Sequence, residues 1–184
     1  MDNLIKRITN RIQDHHTLYD LPVFGELWEE VLHKSFSDIG QKTDWTPTRS
    51  HKSGVDMTHE TLGRISCKSG VLSPSGILDL NGSRTTQFST LEEKLDFLSI
   101  KKEDSFFCLS RLKSDWENGK KRYHLFVFNS DILDYKSALW EETNGGWKGS
   151  GSYFNATITK KMSDQLWVKL NTQFIDNSYL VDVT

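Results

Sequence analysis

The chain has 184 residues, a formal net charge of −2, and 36% hydrophobic and 26% charged residues. That length suits one domain that buries its core without staples, and six Trp, ten Phe and five Tyr supply the core. The balance excludes a disordered chain and a simple polycationic nucleic-acid binder, but not a local basic cleft, because the field depends on where charges sit.

The cysteines are Cys67 and Cys108. Two are too few for a disulfide framework, and both lie in runs that read as buried strand, so free thiols in a reducing compartment are expected. No two-Cys, two-His zinc spacing occurs, and the adjacent His15 and His16 make a poor metal pair. The N-terminal stretch lacks an apolar signal core, and no run approaches the roughly 18 apolar residues of a membrane span. A cytoplasmic protein with no membrane partner is the expectation.

Leu4, Ile5, Ile8 and Ile12 recur at helical spacing and predict an amphipathic helix over 3–14. Phe24, Leu27, Trp28, Val31, Leu32 and Phe36 predict a second over 22–36, with Pro22 in its first turn. A polar loop follows. Val55 to Thr58 then reads as a short strand, HETLG as a turn, and Arg64 to Lys68 as a second strand that Gly70 ends.

Residues 75–80 read as a further strand. Thr90 and Glu93 form a capping box for a third helix, with Leu91, Leu95 and Leu98 on its buried face. Segments 105–112 and 122–129 have the composition of central strands, joined through a hairpin loop with Asn118-Gly119 at its tip. Residues 144–154 read as a glycine-rich loop, and SYFNATITK, QLWVKLN and NSYLVDV as strands. With no repeat or linker, the order predicts a single α/β domain, 1–184, with a central mixed β-sheet flanked by helices.

One constellation carries chemistry: Ser53-Gly54-Val55-Asp56, then Arg64-Ile65-Ser66-Cys67-Lys68-Ser69-Gly70. In a hairpin, Ser66 and Lys68 share a face while Ile65 and Cys67 point to the core. Asp56 at the start of the first strand reaches the same end. An aspartate oxygen is a natural Mg²⁺ ligand, and Mg²⁺ takes only one or two carboxylates. A neighbouring lysine can orient a nucleophile or stabilise a pentavalent phosphorane.

Asp56, about ten residues of hairpin, then Ser66-x-Lys68 resembles the PD-(D/E)XK superfamily of restriction and repair endonucleases. The resemblance covers mainly residues 22–70. Val55 stands for the proline of the motif name, and Ser66 for its second acidic residue. The resemblance therefore implies a carboxylate recruited from elsewhere. Glu29 is the first choice, because the superfamily often carries a glutamate on its first core helix in a Gly-x-x-x-Glu context like Gly25 to Glu29. Glu26, Glu30, Glu60 and Asp79 are the alternatives. The resemblance implies Asp56, Ser66, Lys68 and Glu29 as the catalytic set, with Asp56 and Glu29 holding Mg²⁺.

Three polar regions are candidates for contact with double-stranded DNA, where phosphate contacts position the duplex and base contacts specify it. They are Arg49, Ser50, His51 and Lys52 before Asp56, with Ser69 beyond Lys68; Arg84 and Thr85 before the third helix; and Lys148, Lys160 and Gln165 near the C-terminus. The expectation is a type II restriction endonuclease cutting double-stranded DNA to leave a 5′-phosphate, with a homodimer supplying two centres. The alternative is a non-catalytic DNA-binding or interaction module that keeps the fold.

Overall fold

In the computed structural model, which describes residues 1–46, 55–100 and 103–183, the N-terminal repeats fold as α1, Asp2–Leu18, and α2, Glu26–Asp38. Leu4, Ile8 and Ile12 form the buried stripe of α1. The second helix begins four residues later than its periodicity suggests. Residues 22–25 are instead tied to the sheet: Val23 N–H donates to the Tyr123 hydroxyl and Gly25 N–H to Ser69 Oγ. The buried face of α2 is Trp28, Val31, Leu32, Ser35 and Phe36, which leaves Phe24 and Leu27 exposed.

Among the described residues eleven strands form one mixed sheet: β1 Thr43–Asp44, β2 Met57–His59, β3 Gly63–Leu72, β4 Ile77–Arg84, β5 Ser105–Leu112, β6 Lys121–Asn129, β7 Leu139–Thr143, β8 Gly146–Ser150, β9 Phe154–Thr159, β10 Gln165–Asn171 and β11 Asn177–Val183. The order is β11-β6-β5-β3-β4-β10-β9-β8-β7, with β2 on β3 and β1 on β2. Among these pairs β3 and β5 run parallel, from Ile65↔Ser105 to Leu72↔Leu112, and the others are antiparallel. The expected α/β class and mixed sheet are present, with helix α3, Leu91–Ser99, lying between β4 and β5 in the chain.

The alternation of β3 and its neighbours divides the core. On the helix side, Ile65 and Cys67 join Phe107, Leu109, Tyr123 and Leu125 against α1 and α2. On the other face, Leu72, Leu78 and Leu80 join Phe106, Cys108, Phe126 and the inward residues of β9 and β10. Both cysteines are free and buried.

Four further expectations change. Strand β3 runs through Gly70, because that residue's missing side chain admits a neighbour: a Cβ there would lie 2.7 Å from the Asp79 carbonyl oxygen. The glycine-rich stretch after residue 144 is strand β8, paired with β7 and β9. There Gly149 lies flat under Trp140, where a Cβ would meet the indole ring at 2.7 Å. The capping box of α3 is present, but Leu91, Leu95 and Leu98 are only half-buried and the fully buried residue is Lys94. The connection between β5 and β6 holds a short helix, α4, Lys113–Glu117, before Gly119 turns the chain at φ +75°.

Candidate functional site

Strand β3 has two edges. One pairs with β5 along its whole length from Ile65 to Leu72. The other pairs with β2 only as far as Ile65 and with β4 only at Leu72. Between them, among the described residues, the ladder on that edge is interrupted across Ser66 to Val71. Asp56, the residue before β2, lies at the start of the gap, its own N–H donating to the Ile65 carbonyl at 3.0 Å.

The Asp56 carboxylate occupies the interruption. Its Oδ2 accepts the Cys67 N–H at 2.6 Å and the Ser66 hydroxyl at 3.2 Å. A backbone donor that a neighbouring strand would otherwise take is thus satisfied by a side chain. The short amide bond has the length of a charge-assisted one. Oδ1 makes no hydrogen bond with the described residues.

Ser66 and Lys68 point to the same face of β3, away from Ile65 and Cys67, as the alternation predicts. Ser66 is 1% exposed, and its hydroxyl serves Asp56. It holds the first carboxylate in place instead of supplying a second. Lys68 is half-buried. Its positive charge lowers the proton affinity of Glu29, Cys67 and Cys108. Burial pushes the Cys67 thiol far up, and the charges of Asp56 and Glu29 push it further, so this cysteine is an inert core group.

Glu29 lies in the first turn of α2 and is half-buried. Burial, and then the negative charge of Asp56, hold its carboxyl above the ordinary value. The Trp45 indole N–H, donating to Oε2 at 3.3 Å, works in the opposite direction, as does Lys68. The negative charge of Asp56 is thus felt at Glu29, the kind of repulsion that a cation between two carboxylates relieves. Among the described residues no group of three or more His, Cys, Asp or Glu side chains converges on one point. Mg²⁺ needs only one or two protein carboxylates when it keeps water and phosphate oxygens, and Asp56 and Glu29 are oxygen donors of the kind that ion takes.

The alternative carboxylates differ from Glu29 in exposure. Glu26, Glu30, Glu60 and Asp79 are exposed. Of these, Glu26 acts electrostatically on Glu29. Trp45 is the residue that composition and motif spacing missed; a tryptophan in an otherwise polar loop was its only signal.

The expected DNA contacts divide. Arg49, Ser50, His51 and Lys52 lie outside the described residues. Ser69 is half-buried and accepts from Gly25 N–H, so it ties α2 to β3 beside the gap. Thr85 is not a surface donor: it is fully buried, and its N–H and hydroxyl both donate to the Asp164 carbonyl, at 3.1 and 2.8 Å. It pins the end of β4 to the turn before β10.

Arg84 is exposed at the end of β4, directly opposite Gln165 on β10. On the same sheet, Lys148 pairs with Thr157, which pairs with Trp167, which pairs with Asn81. The two regions that looked separate along the chain are therefore joined strand to strand. Lys148 has Glu141 as its cross-strand neighbour. Lys160 bonds Glu142 at 3.2 Å and lies 4.7 Å above the Trp147 ring. At about 4.8 Å per strand, Lys148 on β8 lies roughly 19 Å across the sheet from β3, so it can belong to a binding surface but not to the cluster around Asp56.

No protein-family model matches the chain, and no curated protein matches it. Among the described residues no helix is long and apolar enough to cross a membrane.

Proposed function

We propose that this protein is a Mg²⁺-dependent endonuclease of double-stranded DNA, of the restriction-enzyme type, with Asp56, Glu29 and Lys68 at its centre. The observation that carries this reading is the Asp56 carboxylate, locked by Cys67 N–H and Ser66 Oγ into a gap in the sheet where Glu29 and Lys68 also act. A carboxylate fixed by two donors is pre-organised, so little ordering remains when a cation or a phosphate arrives.

Asp56 and Glu29 would hold the ion, and Mg²⁺ bound there supplies positive charge at a phosphate oxygen and acidifies a bound water. Lys68 places an ammonium beside developing negative charge on the phosphorane. Ser66 orients Asp56, which explains why a serine serves where the resembled motif has an acid. The substituted acid comes from α2, as the PD-(D/E)XK resemblance implies. Arg84, Gln165 and Lys148 offer donors to a duplex along the continuous β4-β10-β9-β8 sheet. Cleavage of both strands leaving 5′-phosphates, by a homodimer with two centres, completes the reading.

The test is incubation with a long, sequence-diverse DNA and Mg²⁺, with and without chelator. Discrete fragments that vanish on chelation, and that Lys68→Ala fails to produce, are expected. Intact DNA under all conditions, with retained duplex binding at low salt, would replace the reading with a non-catalytic binding module.

A further inference from the structure

We propose that Trp45 is a positioning residue that fixes the Glu29 carboxylate for a divalent cation. The proposal rests on the reading of Glu29 and Asp56 as a cation pair and adds a residue to it. Strand β1 pairs Thr43 with His59 and Asp44 with Thr58. The next residue, Trp45, therefore arrives level with Met57, one position from Asp56.

Its ring stacks on His33, with centroids 5.1 Å apart and planes inclined by 30°. His33 is itself hydrogen-bonded to Thr43 Oγ1. Glu29 and His33 are four residues apart on α2 and so lie on one helix face. The indole runs along that face, stacked on one residue and donating Nε1–H to Oε2 of the other at 3.3 Å.

An indole suits this role. Its N–H is a donor with no acceptor capacity, so it cannot compete as a ligand or trap the cation itself. Donation to Oε2 fixes the plane of the carboxylate while Oε1 remains available. The clamp from His33 and Thr43 sets the ring before any ion binds. A flexible donor in this place would have to be ordered on each binding event. A phenyl ring would keep the stack and lose the orientation.

Two measurements test the proposal. In the metal-free protein, Glu29→Ala is expected to move the Trp45 indole N–H resonance, while that of Trp140, bonded to the Tyr135 carbonyl, stays in place. Calorimetric titration with Mg²⁺ is then expected to show affinity about tenfold weaker in Trp45→Phe than in the wild type, the lower end of the loss typical when an outer-shell partner of a metal ligand is removed. A purely structural tryptophan would lower the melting temperature and leave Mg²⁺ affinity unchanged, which overturns the proposal. An unmoved Trp45 resonance in Glu29→Ala also overturns it, whatever the protein does to DNA. A wild type that binds no Mg²⁺ while the Trp45 resonance still reports on Glu29 removes the cation reading and leaves only the contact.

Discussion

Replacing Asp56 with asparagine and with alanine separates its work in the fold from its work in the site. Oδ2 is the acceptor for the Cys67 N–H, and Cys67 is 7% exposed. Alanine leaves that amide without its partner in a place water barely reaches. An orphaned buried donor costs about 1–3 kcal/mol. For a domain of this size each kcal/mol lowers the melting temperature by about 2–4 °C, so Asp56→Ala is expected to melt about 2–12 °C below the wild type. Asparagine keeps an oxygen for Cys67 N–H and Ser66 Oγ and removes the charge that repels Glu29. Its stability is expected within about 1 kcal/mol of the wild type, while Mg²⁺-dependent cleavage is lost. Thermal melts of the three proteins beside a cleavage assay decide the matter. If Asp56→Ala melts with the wild type, the carboxylate does not close the gap in the ladder beside β3. If Asp56→Asn cuts normally, it does not hold the ion.

Lys94→Met is expected to destabilise by about 3–5 kcal/mol, the usual cost of removing one partner of a buried pair. Its ammonium, 1% exposed, bonds Asp164 Oδ2 at 2.8 Å, the Thr85 carbonyl at 2.8 Å and the Phe88 carbonyl. Urea unfolding measures this, and adding Asp164→Asn, which removes the stranded charge and tolerates the positive φ of that residue, is expected to recover part of the loss. Glu29→Gln is expected to raise the melting temperature slightly at neutral pH while Mg²⁺ binding falls. The sign follows from linkage: the folded-state pKa of Glu29 lies above its unfolded value, so the folded protein binds more protons in that window and stability falls as pH rises through it. Glutamine removes the buried charge responsible. For the same reason Mg²⁺ uptake is expected to release protons from Glu29, and affinity to increase with pH through that carboxyl's titration before levelling off. Calorimetry in buffers of different ionisation enthalpy detects the released protons.

Much of the architecture was legible because period and punctuation agreed. The α1 stripe, the strands at 105–112 and 122–129, and the Thr90–Glu93 capping box all follow from local pattern. The departures came from long-range contacts. Pro22 looked like a helix start until Tyr123 and Ser69 took the N–H groups of Val23 and Gly25. Gly70 and Gly149 looked like breaks, yet each marks close packing against Asp79 and Trp140. Lys94, a polar residue by type, is more buried than the leucines around it because Asp164 and two carbonyls meet its ammonium.

At the site, the pairing of Asp56 with the Ser66-x-Lys68 strand was readable from hairpin spacing. The role of Ser66 was not, because a hydroxyl in the place of an acid carries no signal of the carboxylate it will orient. Nor was the joining of Arg84, Gln165 and Lys148, which depends on β10 inserting between β4 and β9.

The most direct test is a crystal soaked in Mn²⁺ as a substitute for Mg²⁺ and measured at the manganese absorption edge. An anomalous peak bonded to Asp56 Oδ1 and a Glu29 carboxylate oxygen, and absent from Asp56→Asn, is the expected result. A peak elsewhere, or none at a concentration that supports cleavage, would contradict the assignment of these two carboxylates as the cation pair.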